Sequence, residues 1–106
     1  MATIEEFKKL QIIVAQIKEV VEHPNADKLY LIKVDTGTEE KQLVAGIRKS
    51  YTKEELMGRK VVVVNNLGPA TIRGEVSQGM ILAASDENGI SILSVDRDVK
   101  LGSIVK

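Results

Sequence analysis

The sequence predicts a single all-β domain, residues 1–106: a five-stranded barrel with a short helix between strands three and four and a short N-terminal helix. Three observations support this prediction. Short apolar runs alternate with turn residues along the chain, two helix-start patterns stand at different places, and 106 residues are enough for one modest core. No internal repeat or linker divides the chain.

Two patterns predict the helices. Residues 3–6, Thr-Ile-Glu-Glu, have the spacing of a capping box, and Ile4, Phe7 and Leu10 then recur at helical spacing. We therefore expect about two helical turns here, with Phe7 packed in the helix. Residues 52–58 repeat the capping-box spacing and end in glycine, so a second short helix is expected there.

Runs rich in β-branched residues predict the strands. The run at residues 12–21 alternates too irregularly for one buried face to be assigned, and the run at 60–65 is apolar on both faces. Residues 23–27 are interpreted as a loop, 36–39 as a hairpin turn and 86–89 as a tight turn. The strand predictions are residues 12–21, 29–35, 41–47, 60–65, 80–84, 90–95 and a final short strand around 103–105.

This order of elements matches the oligonucleotide/oligosaccharide-binding (OB) fold. In that fold, a helix between strands three and four closes one open end of the barrel. A small β-sandwich is the alternative, and the position of the second helix favours the barrel.

Composition restricts the class of protein. The chain is 43% hydrophobic and 28% charged, has no cysteine, and contains no apolar run near the roughly 20 residues that span a bilayer. A cytoplasmic protein without disulfides or a membrane segment is therefore expected. The net charge is zero, but residues 41–80 carry seven Lys and Arg against three Glu, a balance of +4. This middle segment is either a phosphate-binding surface or an ordinary surface of mixed sign.

Catalytic residues are scarce. The one histidine, His23, stands beside Pro24 in the predicted loop and is interpreted as a turn residue, and without cysteine a nucleophilic triad or a zinc site has little to draw on. Paired glutamates fall at helix starts or in the hairpin turn, where capping and solvation explain them. The sequence predicts no enzyme activity, no metal and no cofactor.

Residues 66–84 hold more polar groups than a plain turn requires. Asn66, Arg73, Ser77 and Gln78 are suitable donors to phosphate and sugar, and Lys28 is expected to open the second strand. Gly74 and Gly79 alternatively serve only to supply positive backbone angles. With three aromatic residues in the chain, we expect recognition of the shape and backbone of folded RNA rather than stacking on unpaired bases.

Three blocks of sequence carry a family resemblance. Residues 23–29 (HPNADKL), 43–47 (LVAGI) and the segment 66–84 resemble the tRNA-binding domain family. Its members occur at the C-terminus of methionyl-tRNA synthetases, as their separate archaeal beta subunit, as a stand-alone bacterial tRNA-binding protein and in the cytokine precursor of the animal synthetase complex. The resemblance implies an OB barrel that forms a homodimer and binds tRNA, while a methionyl-tRNA synthetase catalytic subunit performs aminoacylation.

The resemblance also implies contact residues and departures from the family pattern. Many members have lysine where this chain has Gly68 and Thr71, and an Asp-Leu-Arg-Val sequence where this chain has Gln-Ile-Ile-Val at 11–14. The missing lysines predict weaker and less salt-dependent binding of tRNA. The family's tRNA-contact positions fall on Lys28, Asn66, Arg73, Ser77 and Met80, and Gln78 is added on chemistry alone.

Dimerisation and the alternatives complete the sequence predictions. An exposed apolar surface near the chain ends, from Ile12, Ile13, Ile104 and Val105, would suit a two-fold contact. The resemblance leaves open a free-standing beta subunit, mildly favoured by the start at Met1, or an excised C-terminal domain. A different class of function is a dimeric OB-fold chaperone or protein-interaction module related to bacterial export chaperones.

Overall fold

The eleven-residue strand Ile12–Glu22 is the centre of the fold, because it pairs with two neighbouring strands of the sheet. A computed structural model describes all 106 residues. The elements in chain order are α1 (Ile4–Lys8), β1 (Ile12–Glu22), β2 (Tyr30–Asp35), β3 (Glu40–Ala45), α2 (Lys53–Leu56), β4 (Lys60–Val64), β5 (Ala70–Ile72), β6 (Glu75–Ser77), β7 (Met80–Ile81), β8 (Ala83–Asp86) and β9 (Gly89–Ile92).

The main sheet has the order β3-β2-β1-β4-β7, with every neighbouring pair antiparallel. It curves into a nearly closed five-stranded barrel, and α2 lies between the third and fourth strands. The all-β prediction with this helix position is therefore confirmed. Two separate hairpins, β5-β6 and β8-β9, stand outside the main sheet.

Strand β1 contains an irregularity that explains its broken sequence pattern. Its register with β2 shifts between Ile17 and Glu19, as at a β-bulge. Before the bulge the strand pairs with β4, where Ile13 lies opposite Val63 and Ala15 opposite Val61. The strand is apolar on both faces along this part, so no single buried face could be assigned from its alternation.

The core has two parts. The barrel interior holds thirteen buried residues, and a smaller cluster of Ile12, Val62 and Val64 lies on the opposite face of β1 and β4, covered by Leu82 and Val105. The prediction that the run at 60–65 is apolar on both faces is confirmed. The interior residues are Ala15, Ile17, Val20, Tyr30, Ile32, Val34, Leu43, Ala45, Ile47, Leu56, Val61, Val63 and Ile92.

Both predicted capping boxes are present. In α1 the Thr3 hydroxyl accepts the backbone N–H of Glu6 while the Glu6 carboxylate accepts that of Thr3, and Thr52 and Glu55 do the same in α2. Helix α1 buries no residue, so the expectation that Phe7 packs in it was wrong: its side chain is 39% exposed. No helix in the structure has the length and apolar character needed to cross a membrane.

Other expectations also need correction. Ile12 and Ile13 are only 8% and 5% exposed, because both faces of this part of β1 are covered. They therefore do not form an exposed surface. Val105 packs over the smaller cluster, and Ile104, at 70% exposed, is the one apolar side chain of the four that faces solvent freely. The final predicted strand reduces to a single bridge between Ile13 and Ile104.

Candidate nucleic-acid interface

The β1–β2 connection, residues 23–29, is a compact loop held by its own backbone. The N–H of His23 donates to the carbonyl oxygen of Leu29 at 3.1 Å, and the N–H of Leu29 donates to that of Ala26 at 3.3 Å. Lys28 lies in this loop with an exposed side chain, two residues before β2 begins, so the expectation that it opens the strand was wrong. Lys28 therefore extends from a loop that its own backbone hydrogen bonds hold in place, and not from a strand.

Hairpin β5-β6 presents the second cation. Ile72 pairs with Glu75, which leaves Arg73 and Gly74 as a two-residue turn. Their φ angles are +53° and +90°, the left-handed region that such hairpin turns require. Arg73 is the one non-glycine residue with positive φ in the structure, which places its side chain at the hairpin tip.

The β1–β2 connection and the hairpin meet in a basic concavity of about 380 Å³. It is lined by Ala26, Asp27, Lys28, Leu29 and Arg73. The Nη2 group of Arg73 donates to the carbonyl oxygen of Asn25, 48 residues earlier in the chain, at 3.0 Å. Neither Lys28 nor Arg73 forms an ion pair. Two cations without ion pairs therefore share one concave surface with a single carboxylate, Asp27, and the net positive charge suits an anionic ligand.

Arg48 forms hydrogen bonds to the backbone of the same loop. Its Nη1 group donates to the carbonyl oxygen of Ala26 at 3.3 Å, and its backbone N–H donates to that of Lys28 at 3.3 Å. Unlike Lys28 and Arg73, Arg48 is paired with an acid, Glu22. Sequence analysis did not single out Arg48, because nothing in its local pattern indicates a contact with residues 22 positions away.

Ser77 and Gln78 fix the hairpin to the barrel. The Ser77 hydroxyl is buried, accepts the backbone N–H of Val44 at 3.0 Å and donates to the carbonyl oxygen of Gly79 at 2.9 Å. The side-chain oxygen of Gln78 accepts the backbone N–H of Gln42 at 2.9 Å. Both polar groups are thus engaged within the protein.

Asn66 and Met80 lie away from the basic concavity. The Asn66 side chain accepts the backbone N–H of Gln11 and donates to the carbonyl oxygen of Lys9, both at 2.7 Å, so it ties the end of α1 to the barrel. Met80 starts β7 opposite Val64, and its side chain is 48% exposed. Of the six sequence-predicted site residues, the structure brings only Lys28 and Arg73 to one concavity.

Comparison with known proteins identifies the family. The sequence model described as "Putative tRNA binding domain" matches residues 12–104, which is most of the chain. This chain belongs to the tRNA-binding domain family. The match extends over the barrel, the β1–β2 connection and hairpin β5-β6 together.

Relatives of this tRNA-binding domain are much longer proteins. The chain is 53% identical over 102 residues to the methionine–tRNA ligase of Pyrococcus abyssi and 50% identical over 102 residues to that of Thermococcus onnurineus. Each match covers 96% of this chain and 14% of the ligase. The chain thus spans about one seventh of the length of these relatives.

Solved structures share the whole fold. The crystal structure of a MetRS related protein from Pyrococcus horikoshii superposes with a TM-score of 0.92 at 34% identity, covering 100% of this chain and 98% of that one. The CsaA chaperone protein from Picrophilus torridus superposes with a TM-score of 0.93 at 31% identity and covers all of both chains. These similarities confirm the OB-type barrel of the tRNA-binding domain.

Gly68 and Thr71, the two positions of this tRNA-binding domain where the family resemblance implies lysine, are open in space. A Cβ atom built on Gly68 meets no atom within 4 Å, and Gly68 does not have a positive φ angle. Thr71 is exposed on β5 opposite Val76. Lysine at either position would therefore fit without displacing neighbours, so packing does not explain its absence.

The tRNA-binding domain offers little else to catalysis or metal binding. No group of three or more His, Asp and Glu side chains is placed to hold a metal ion. Hydrogen bonds from the backbone and side chain of Thr52, in the capping box of α2, lower the pKa of Glu55. That shift belongs to helix capping, outside the basic concavity.

Proposed function

We propose that this chain binds tRNA without catalysing a reaction. The observation that carries the proposal is the meeting of Lys28 and Arg73, two cations without acidic partners, in one basic concavity. Membership of the tRNA-binding domain family supports tRNA as the anionic ligand. Contacts to phosphate supply affinity that depends on salt and little on sequence.

The aromatic residues support recognition of shape and backbone rather than of stacked bases. Tyr30 is buried, and its hydroxyl donates to the backbone carbonyl of Tyr51 at 2.7 Å. The Tyr51 ring is partly buried and faces the Arg59 guanidinium, 5.9 Å from the ring centroid. Neither tyrosine ring is a free platform on which a base would stack, and the third aromatic residue, Phe7, is 39% exposed but lies in α1 and does not line the basic concavity.

The six candidate contact residues divide by role in this proposal. Lys28 and Arg73 contact phosphate directly. Ser77 and Gln78 hold hairpin β5-β6 against β3, and Asn66 holds α1. Met80, half exposed at the start of β7, adds apolar contact at the edge of the footprint.

We further propose that the domain serves methionyl-tRNA synthetase in protein biosynthesis in the cytoplasm. It would raise the affinity of a catalytic subunit for tRNA, either as a separate beta subunit or as a C-terminal domain. Support comes from the methionine–tRNA ligases that this chain matches at about 50% identity. No residue of this chain is assigned to aminoacylation itself.

Self-association into a homodimer is part of the proposal, through a surface different from the one expected. Apolar residues of α1 and of the segment just after it are exposed, 59% for Ile4 and 44% for Leu10, as is Ile104, the one exposed residue of the surface expected from the sequence. An isolated helix of five residues that buries nothing is marginal in water unless a partner covers it. A second copy of the chain is the occupant we propose. Sedimentation showing a stable monomer at micromolar concentration would contradict this.

A chaperone or protein-interaction role is the second candidate, favoured by the full-length superposition on the CsaA chaperone protein. Gel shifts with total tRNA and with an unfolded polypeptide separate the two candidates. We expect wild type to retard tRNA, and the variants Lys28→Ala and Arg73→Ala to do so more weakly. Arg97→Ala is the matched control, because it removes one exposed cation outside the basic concavity. Retardation of the polypeptide alone would favour the second candidate.

A further inference from the structure

His23 is a buried polar residue whose two ring nitrogens both have partners. The residue is only 3% exposed to solvent. Nδ1 lies 3.0 Å from the backbone nitrogen of Asn25, which can only donate, so Nδ1 is the unprotonated acceptor. The proton is then on Nε2, which donates to the carbonyl oxygen of Ile72 at 3.1 Å. The hydrogen bonds therefore assign one neutral tautomer to the imidazole.

These bonds connect the two segments that form the basic concavity. Asn25 lies in the β1–β2 connection, and Ile72 is the residue immediately before Arg73 in hairpin β5-β6. Arg73 in turn donates to the carbonyl oxygen of Asn25. The four residues thus form a closed circuit of hydrogen bonds, and His23 supplies two of its three links.

No strand pairing joins hairpin β5-β6 to the β1–β2 connection. Hairpin β5-β6 pairs only with itself and is attached to the main sheet along β6, through Ser77, Gln78 and the Gln42 side chain, which donates to the Val76 carbonyl oxygen at 2.9 Å and to the Glu75 carboxylate at 3.4 Å. Two hydrogen bonds join the hairpin tip to the β1–β2 connection, one from His23 and one from Arg73. The imidazole provides the one that does not use the Arg73 side chain, so it remains when Arg73 turns to a ligand.

We propose that His23 is a positioning residue for tRNA binding, which holds Arg73 at a set distance from Lys28 before the RNA arrives. This inference rests on the proposed function. His23 is buried and does not itself touch the ligand. Its effect arises because side chains and a hairpin ordered in advance lose less entropy on binding.

Two amide substitutions separate the links of His23. In His23→Gln the side-chain NH₂ reaches about as far as Nε2, so it preserves the donor to Ile72. In His23→Asn the shorter side chain preserves only the acceptor near the Nδ1 position, and the link to the hairpin is lost. Both variants are compared as folded protein, with the folded fraction measured by urea titration.

The experiment measures binding of total tRNA at several salt concentrations. We expect His23→Asn to weaken binding about tenfold, on the scale of the entropy cost of ordering two long side chains during binding, and to leave the salt slope near the wild-type value, because Arg73 still contacts phosphate in the complex. His23→Gln is expected to stay within about threefold of wild type, because it keeps the hairpin in place. In an Arg73→Ala background, His23→Asn should add less than about twofold, because it acts through Arg73.

Nitrogen chemical shifts of His23 in the wild-type protein give a readout that needs no variant. They should show protonated Nε2 and unprotonated Nδ1, and the other tautomer would overturn the circuit. A folded His23→Asn with wild-type affinity, or full additivity with Arg73→Ala, would overturn the positioning role alone. Failure of wild type to bind tRNA would instead overturn the proposed function, and this inference with it.

Discussion

The hydroxyl oxygen of Ser77 accepts the backbone N–H of Val44 at 3.0 Å and joins hairpin β5-β6 to β3 across 33 residues of sequence. The same hydroxyl donates to the carbonyl oxygen of Gly79. Ser77 is 4% exposed, so a ligand on the surface has little access to it. Ser77, which the sequence predicts to contact RNA, therefore joins two parts of the protein, and this structural role can be tested separately from RNA binding.

We predict that Ser77→Ala lowers the free energy of unfolding by about 1 kcal/mol, because the part-buried N–H of Val44 loses its acceptor. Urea denaturation measures this change. Ser85→Ala, on exposed β8, is the matched control and should change stability by less than about 0.5 kcal/mol. A Ser77→Ala protein of normal stability with weak tRNA binding would show direct contact instead.

Restoring the missing cations should strengthen binding. In the double variant Gly68→Lys and Thr71→Lys, both side chains enter open space, and each new phosphate contact steepens the salt slope by about one unit. A filter-binding salt titration measures both affinity and slope. The control adds the same charge elsewhere, with Ser85→Lys and Ser91→Lys. Equal gains in the two double variants would mean that net charge alone acts.

The natural chain allows a related comparison. Because it lacks these two lysines, we expect its tRNA binding to be weaker and its salt slope shallower than in family members that have them. The same titration, run on this chain and on a lysine-bearing relative, measures the difference. An equal or steeper slope for this chain would refute the expectation.

Asn66 should control α1. Its side chain bonds to Gln11 and Lys9, whereas no residue of α1 is buried. We predict that Asn66→Ala speeds amide hydrogen exchange in residues 4–10 and weakens self-association, with little effect on exchange in the barrel. Asn88→Ala, in the exposed β8–β9 turn, is the control. Unchanged exchange in α1 would show that other contacts hold the helix.

Acid should remove the contribution of the second capping box. The backbone N–H of Thr52 donates to the Glu55 carboxylate at 2.8 Å, which lowers the pKa of Glu55 below its ordinary value of 4.5. A lowered pKa in the folded state stabilises the protein above the unfolded value, and this stability is lost as pH falls through the folded value.

Stability curves of wild type and Glu55→Gln check this sign. The advantage of wild type is expected to be complete above about pH 5.5, one unit over the ordinary value, and to shrink on acidification. Glu54→Gln, one residue away and without a cap hydrogen bond, is the control. An advantage that grows at low pH would contradict the assigned cause.

Local signals in the sequence predicted the local structure. Thr3 and Thr52, each with glutamate three residues later, identified both helices, because a capping box is a property of four neighbouring residues. No strand is predicted on either side of Arg73-Gly74, because the two strands of three residues there carry little apolar alternation. Strands this short, attached to the barrel by side chains, leave only a weak hydrophobic pattern in the sequence.

Contacts between distant residues could not be predicted in the same way. Asn66 and Ser77 have donors and acceptors suited to RNA, and only the folded chain shows that α1 and β3 occupy them. His23 was interpreted as a turn residue, which its position fits, but its partner Ile72 is 49 residues away. Residue chemistry predicts a polar site, whereas the proposed division of its residues into ligand contacts and structural supports depends on tertiary geometry.

Hairpin β5-β6 stands outside the five-stranded sheet and shares no strand pairing with it. Substitutions at its tip therefore alter the proposed tRNA-binding surface without disturbing the register of the barrel. Such an arrangement separates the evolution of affinity from the maintenance of the fold. Variants along residues 68–74 could accordingly be selected for different RNA ligands on one unchanged barrel.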